Sequence, residues 1–258
     1  MAILEVQNLS KKFGGLTANQ DVSMKVEKHS ITAVIGPNGA GKTTFFNMIT
    51  GVYQPTSGTI LLENEKINGL KPHAVCQKGI ARTFQNIRLF NEMSVLENVM
   101  VGMHTRLKAG FLGILFNLPT IRKEEAASEI KAYQLLEYVG LESFLNEKAC
   151  NLSYGAQRRL EIARALAAGP KILLLDEPAA GMNPKETKEL TGLIKRMRDE
   201  FNLTVILIEH DMKLVMEISE QIFVLDHGEK IAEGRPEDIR NNPKVIEAYL
   251  GSGAVQAG

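Results

Sequence analysis

Ile31-Thr32-Ala33-Val34-Ile35-Gly36-Pro37-Asn38-Gly39-Ala40-Gly41-Lys42-Thr43-Thr44 decides how this chain is read. The run Ile31 to Ile35 is a fully apolar strand, Gly36 ends it, and Lys42 to about Thr50 reads as a helix stopped by Gly51. Between strand and helix lies a complete G-x-x-x-x-G-K-[ST] pattern, in the context that gives the pattern its meaning. The glycines let backbone N–H groups curl around the β- and γ-phosphates of a nucleotide, Lys42 adds a point charge, and the Thr43 hydroxyl is placed to ligate Mg²⁺. A helix dipole contributes only ~0.3–1 kcal/mol toward an anion, so Lys42 and the cation must supply much of the charge compensation.

Further along, Ile172-Leu173-Leu174-Leu175-Asp176-Glu177 reads as a buried strand with two carboxylates at its C-terminal tip. In an open α/β sheet that tip faces the ligand crevice. Asp176 can hold Mg²⁺ directly or through water, and Glu177 can accept a proton from an attacking water or polarise it. Alone, an Asp-Glu pair is a solvated strand cap; beside a phosphate loop it reads as chemistry.

Around these two motifs the chain alternates. Ile3, Val6 and Leu9 open a strand, Val22, Met24 and Val26 form another, and Thr59 to Ile67 reads as a hairpin turning near Asn64. Ser94 to Glu147 is helical in pattern, with Glu124 to Tyr138 its clearest amphipathic stretch and Gly110, Gly113 and Pro119 interrupting it. From Ala156 the order is helix to Ala168, strand Ile172 to Leu175, helix Pro184 to Phe201, strand Thr204 to Ile208, helix Met212 to Ile218 and strand Gln221 to Leu225. A turn at His227 and Gly228 and a short helical tail follow. Such alternation implies a largely parallel sheet covered by helices.

Composition narrows the function classes. The 258 residues are 44% hydrophobic and 23% charged, which excludes a disordered or fibrous chain. Thirty Lys plus Arg balance thirty Asp plus Glu, so no bulk charge favours nucleic acid or an anionic membrane. Cys76 and Cys150 match no metal pattern and cannot staple a fold of this size; a reducing cytosol is expected. The start of the chain lacks the pattern of a signal peptide, and Phe111 to Leu118 is too short to span a bilayer.

The third element is Leu152-Ser153-Tyr154-Gly155-Ala156-Gln157, before a helix and about twenty residues ahead of Asp176. Ser153 can cap that helix and Gly155 permits close backbone approach, giving an anion site with no phosphate of its own loop to meet. With the phosphate loop and the carboxylate strand, it resembles the signature sequence of ATP-binding-cassette proteins, and the resemblance covers nearly the whole chain. It implies an α/β fold: a phosphate-loop NTPase (RecA-like) core with an antiparallel β subdomain and an inserted α-helical subdomain. Residues 1–88 and 159–258 would form the core with its β subdomain, and 89–158 the helical subdomain carrying the signature loop.

By that resemblance the chain is an ATPase whose cofactors are ATP and Mg²⁺. Gly36 to Thr44 bind the nucleotide, Phe13 stacks on adenine, and Thr43, Gln85 and Asp176 serve the metal. Glu177, His210 and Gln85 are the catalytic group, His210 as the switch histidine at the γ-phosphate. Ser153, Tyr154, Gly155, Ala156 and Gln157 would close over the nucleotide of a partner subunit. Asn183, in Ala180-Gly181-Met182-Asn183, stands where the family's dimer-contacting loop usually ends in Leu-Asp. Ala156 replaces the usual Gly or Gln.

Ala81-Arg82-Thr83-Phe84-Gln85-Asn86, the Leu-Ser-Tyr-Gly signature, Pro178 to Pro184 and the long insert from about Met103 to Ile121 look like the ATPase subunits of bacterial branched-chain amino-acid importers. The implied partners are itself or a sister ATPase, two membrane permeases and, indirectly, a periplasmic binding protein. The implied place is the cytoplasmic face of the inner membrane, peripheral, held through the permeases. The permease's coupling helices would meet the groove near Gln85, where Leu89, Phe90, Met93 and Val95 supply apolar surface. Urea-importer and lipopolysaccharide-exporter cassettes are the nearest alternatives. A DNA-repair or translation cassette lacks support, since no long coiled coil, fused second cassette or nucleic-acid footprint is visible. A small-molecule kinase or GTPase is disfavoured by the missing Asn-Lys-x-Asp motif and the presence of the signature.

Overall fold

A computed structural model describes residues 1–103 and 119–250. The chain opens with β1 (Ala2–Phe13) and β2 (Leu16–Glu27), then β3 (Ile31–Ile35) and α1 (Lys42–Ile49). The hairpin β4 (Ser57–Leu62) and β5 (Glu65–Lys66) follows, then α2 (Pro72–Lys78) and β6 (Ile80–Arg82). Helices α3 (Val95–Met103), α4 (Pro119–Tyr138) and α5 (Tyr154–Ala167) come next. The remainder is β7 (Ile172–Asp176), α6 (Pro184–Glu200), β8 (Thr204–Ile208), α7 (Met212–Ile218), β9 (Gln221–Asp226), β10 (Glu229–Gly234), α8 (Pro236–Arg240) and α9 (Pro243–Leu250).

Two sheets result. The smaller has the order β2-β1-β4-β5, with every pairing antiparallel. The larger has the order β10-β9-β3-β8-β7-β6; its β9, β3, β8, β7 and β6 run parallel, and β10 closes one edge antiparallel.

The apolar strands are buried on both faces, which is why they read as unbroken hydrophobic runs rather than alternating ones. Their side chains still alternate in destination. Ile31, Ala33 and Ile35, with Leu173, Leu175, Val205 and Leu207, join one core with α3, α4, α5 and α6. Val34, Leu174, Ile206 and Ile208 point the other way, into a core made with α1 and the antiparallel sheet. The larger sheet is thus the middle layer, and α1, with Phe45, Phe46, Met48 and Ile49 buried, is pinned beneath the smaller sheet.

Several expectations shift in detail. The 59–67 hairpin turns where expected, through Glu63 and Asn64 at φ 48° and 68°, the left-handed pair that a two-residue turn requires. Pro119, at the end of the segment read as an interruption, is the first residue of helix α4, where its missing N–H costs nothing. Gly110 and Gly113 lie outside the described residues, as does most of the 103–121 insert. The helix read from Ala156 starts at Tyr154, because Ser153 caps it. Strand β10 and helix α2 were not foreseen: β10 carries Glu229, Lys230 and Glu233 and is nowhere fully buried, and α2 is only seven residues long. The boundary drawn between 158 and 159 falls inside α5. Among the described residues no helix is long and apolar enough to cross a membrane.

Helices α3 and α5 touch where Gly102 meets α5: a Cβ on Gly102 would lie 2.2 Å from the Arg164 carbonyl oxygen. Gly192, inside α6, has nothing within 4 Å of the corresponding position. Gly102→Ala is therefore expected to lower stability by roughly 1–3 kcal/mol, whereas Gly192→Ala should raise it by about 1 kcal/mol. Urea titration of both variants checks the pair, and equal effects would contradict this packing.

Candidate nucleotide site

The loop 36–41 passes from the C-terminal end of β3 into α1 through three glycines with positive φ. Gly36, at φ 148°, is pressed so closely on β9 that a Cβ would stand 2.0 Å from the Leu225 carbonyl oxygen. Gly41, at φ 93°, is the N-cap of α1, and no side chain caps that helix. Its first N–H groups are therefore left for an anion. The Lys42 ammonium folds back along the loop and donates to the carbonyls of Gly36 at 2.7 Å and Pro37 at 2.9 Å. Burial pulls its pKa below the ordinary lysine value, while the nearby Glu177 and Asp176 carboxylates push it part of the way back.

Asp176 ends β7, is 2% exposed, and accepts at Oδ2 from Arg82 Nη2 at 2.6 Å. Its Oδ1 is buried without a hydrogen-bond partner. Arg82 also donates to Asn47 Oδ1 of α1 at 2.6 Å, so one guanidinium joins β6, β7 and α1.

Glu177 follows at φ 47°, a left-handed conformation costing about 1–3 kcal/mol in a residue with a side chain. Its N–H, bonded to the Ile208 carbonyl at 2.9 Å, holds it there. The carboxylate then sits between two side chains from distant segments. Gln85 Nε2 donates to Oε2 at 2.8 Å, and His210 Nε2 lies 3.0 Å from Oε1. Behind them Glu209, 3% exposed, accepts from the N–H groups of Ala179 at 2.8 Å and His210 at 3.1 Å. Burial raises the Glu209 pKa, and backbone N–H groups from Ala179, His210 and Asp211 counter that rise.

Of the residues singled out in the sequence, Phe13, Asn38, Gly39, Ala40, Gly41, Lys42, Thr43, Thr44, Gln85, Glu177 and His210 line one cleft. Gly36 and Pro37 contribute through their carbonyls, and Asp176 lies buried beside it. Phe13 is half exposed, edge-on to Tyr53 with ring centroids 5.2 Å apart. Leu16, Thr17, Ala18 and His227 line the cleft too and were missed, since nothing local marks them. Arg82 was also missed. Its signal was a basic residue at a strand end three positions before Gln85, but its partner depends on β6 lying beside β7.

The signature residues lie elsewhere: none of Ser153, Tyr154, Gly155, Ala156 and Gln157 lines the cleft. Ser153 Oγ accepts from the Ala156 N–H at 3.4 Å. Gln157 Nε2 turns inward to the carbonyls of Ala149 and Leu152, both at 3.2 Å. Gly155 lets the N-terminal turn of α6 come close, since a Cβ there would be 3.0 Å from Glu186 Oε1. Asn183 caps α6, accepting from the N–H groups of Lys185 at 3.0 Å and Glu186 at 3.1 Å.

A phosphate loop, a carboxylate-tipped strand and a separate capped signature helix on this sheet order define a phosphate-loop ATPase. Comparison with known proteins agrees. A family model described as ABC transporter matches residues 19–180, and one described as branched-chain amino acid ATP-binding cassette transporter matches 229–255. The chain is 54% identical, over 96% of its length and 98% of the relative's, to the high-affinity branched-chain amino acid transport ATP-binding protein BraF of Pseudomonas aeruginosa. The crystal structure of a nucleotide-free ATP-binding cassette from an ABC transporter superposes with a TM-score of 0.85 at 37% identity, covering 97% of this chain and all of that one. The dimeric structure of a bacterial ABC transporter cassette superposes with a TM-score of 0.77 at 28% identity, covering 90% and 98%. The chain belongs to the ABC transporter ATP-binding family.

Lys42 makes the site sensitive to alkali. As pH rises through its lowered pKa the ammonium loses its charge, so nucleotide affinity should fall at a lower pH than an exposed lysine would dictate. Glu177→Gln removes a carboxylate that raises this pKa, and the fall should move to still lower pH. Fluorescent-nucleotide titrations across the alkaline range measure both curves, and a shift of the variant toward higher pH would contradict the assignment.

Proposed function

We propose that this chain is the ATP-hydrolysing subunit of a bacterial importer of branched-chain amino acids, working by ATP-driven closure of a cassette dimer. One observation carries the catalytic reading: Gln85 and His210, from two separate segments, each lie within 3.0 Å of a different carboxylate oxygen of Glu177, beside the Lys42 loop. The solute is supported by BraF and by the family match over 229–255.

In this reading Gly36 to Thr44 wrap the phosphates, Lys42 leaves its backbone carbonyls for the β- and γ-oxygens, and Phe13 stacks on adenine. Thr43, Gln85 and Asp176 would hold Mg²⁺. The residues fit that ion: Asp176 Oδ1 is buried and unpartnered, and the Thr43 side chain is exposed. Among the described residues no group of three His, Cys, Asp or Glu side chains is placed to hold a metal by itself, and Mg²⁺ commonly keeps waters and uses one or two protein ligands plus phosphates. Held there, the ion would supply charge neutralisation to the phosphates. Glu177 takes the proton of the attacking water on a carboxylate oxygen. The Gln85 amide orients that carboxylate, and His210 turns from Glu177 to the γ-phosphate.

Because Ser153, Tyr154, Gly155, Ala156 and Gln157 lie off the cleft, they serve the nucleotide of a second cassette, either a copy of this chain or a sister ATPase. The similar dimeric cassette supports this arrangement. Hydrolysis removes the γ-phosphate contacts that bridge the subunits, and the dimer reopens. Two permeases, fed by a periplasmic binding protein, would hold the cassette at the cytoplasmic face of the inner membrane; no nucleic acid is involved. Phe90 and Met93, 46% and 38% exposed, are the apolar surface offered near Gln85. Val95, expected there too, is fully buried and contributes no surface, whereas Leu89 packs partly on the core and keeps part of its side chain exposed. The division into a core of 1–88 and 159–258 and a helical subdomain of 89–158 belongs to the same proposal.

Glu177→Gln is expected to cut turnover about 10²–10⁴-fold while ATP binding persists; full turnover would refute the base. The solute is tested by co-purifying the membrane subunits and stimulating ATP turnover with a panel of loaded binding proteins. Leucine, isoleucine and valine should stimulate, and stimulation by another solute alone would overturn the substrate.

A further inference from the structure

Residues 83–93, which carry Gln85, lie in no helix and no strand. Thr83 donates to the Leu174 carbonyl at 2.9 Å, and beyond it two side chains of α5 hold the backbone. Arg158 donates through Nη1 to the Phe84 carbonyl at 2.6 Å and through Nη2 to the Gln85 carbonyl at 2.8 Å. Glu161 Oε1 accepts from the N–H groups of Phe84 and Arg88, both at 3.3 Å, and its Oε2 lies 2.9 Å from Arg158 Nη1. The two side chains are 0% and 1% exposed.

Stability alone does not account for this pair. Burying a guanidinium and a carboxylate is costly, and well-packed apolar residues of similar volume commonly do as well or better. What an apolar pair cannot do is bind four backbone groups of an otherwise irregular loop. The helix that does so is the one whose N-terminus presents Ser153 and Gly155, and Arg158 Nη2 also reaches the Tyr154 hydroxyl at 3.3 Å. The residue whose carbonyl Arg158 holds, Gln85, presents its side-chain amide to Glu177 Oε2 at 2.8 Å. Direct contacts therefore run without a gap from the signature turn to the carboxylate.

We propose that Arg158 and Glu161 are positioning residues that lock the Gln85 loop to the signature helix. Docking of Ser153 and Gly155 on a partner's nucleotide and placement of the Gln85 amide on Glu177 then become one movement. The pair senses whether the second cassette has closed and reports it to the group that activates water. This inference rests on the catalytic reading above and adds to it the residues that couple the two halves.

The test is a cycle of variants in the full-length chain. Arg158→Met combined with Glu161→Leu replaces the ion pair by apolar side chains of similar size and is expected to keep a cooperative thermal transition and nucleotide affinity within about two-fold. Its kcat should fall on the order of 10²-fold, the effect of misplacing a catalytic group by about 1 Å. In a Gln85→Ala background the same two substitutions should lower kcat by no more than about two-fold, because their effect runs through Gln85. Parental turnover in the folded double variant, or an equal loss in both backgrounds, overturns the proposal. Should the double variant fail to fold, Glu161→Gln, which preserves shape, enters the same cycle: a kcat loss confined to the Gln85 background supports the coupling, and none refutes it. Glu177→Gln in parallel separates the two ideas, since full turnover there defeats the catalytic reading whatever Arg158 does.

Discussion

The site depends on strands that end side by side at the C-terminal end of the larger sheet's parallel strands. β3, β8 and β7 are adjacent and parallel, with Val34 opposite Ile208 and Asp176 opposite Ile208 in register. The segments leaving them, 36–41, 209–210 and 177, must emerge side by side. Parallel neighbours cannot be joined by tight hairpins, so each returns through a helix or a longer crossover before pairing. The sheet order brings together groups that the chain keeps far apart: Glu177 is separated by 92 positions from Gln85 and by 33 from His210.

Most polar groups of the cleft are bonded to one another. Lys42 rests on two carbonyls of its own loop, Glu177 is shared between Gln85 and His210, and Asp176 is paired with Arg82 on one oxygen only. Buried charge left unpaired would be costly, so these contacts hold the polar groups of the cleft in place. In the proposed reading, each of these bonds would be exchanged for one to the triphosphate. The phosphate loop and the signature loop differ in readiness. The first ends in a helix with no side-chain cap, whereas the second is already capped by Ser153 and backed by Glu186.

Local chemistry made much of this legible. Strands β3 and β8 and helix α7 were bounded to the residue because unbroken apolar runs flanked by Gly, Asn or an acidic cap leave little choice of length. The turn at Asn64 and the cap at Ser153 followed from side chains that favour those conformations. Where the signal was weak, the reading failed in a specific way. β10 shows no apolar alternation because most of it is partly exposed at a sheet edge. Val95 looked like surface and is core, because α3 turns it inward.

The sequence by itself determined which residues form the glycine-rich loop, which strand ends in paired carboxylates and that Ser153 caps the signature helix, since each is encoded within a dozen consecutive residues. Tertiary structure alone decided that Glu177 lies between Gln85 and His210, that Arg82 holds Asp176, and that Arg158 and Glu161 grip the Gln85 loop. These are contacts between segments distant in the chain. Sheet order and helix packing set them, and no local spacing or periodicity encodes which strand will lie beside which.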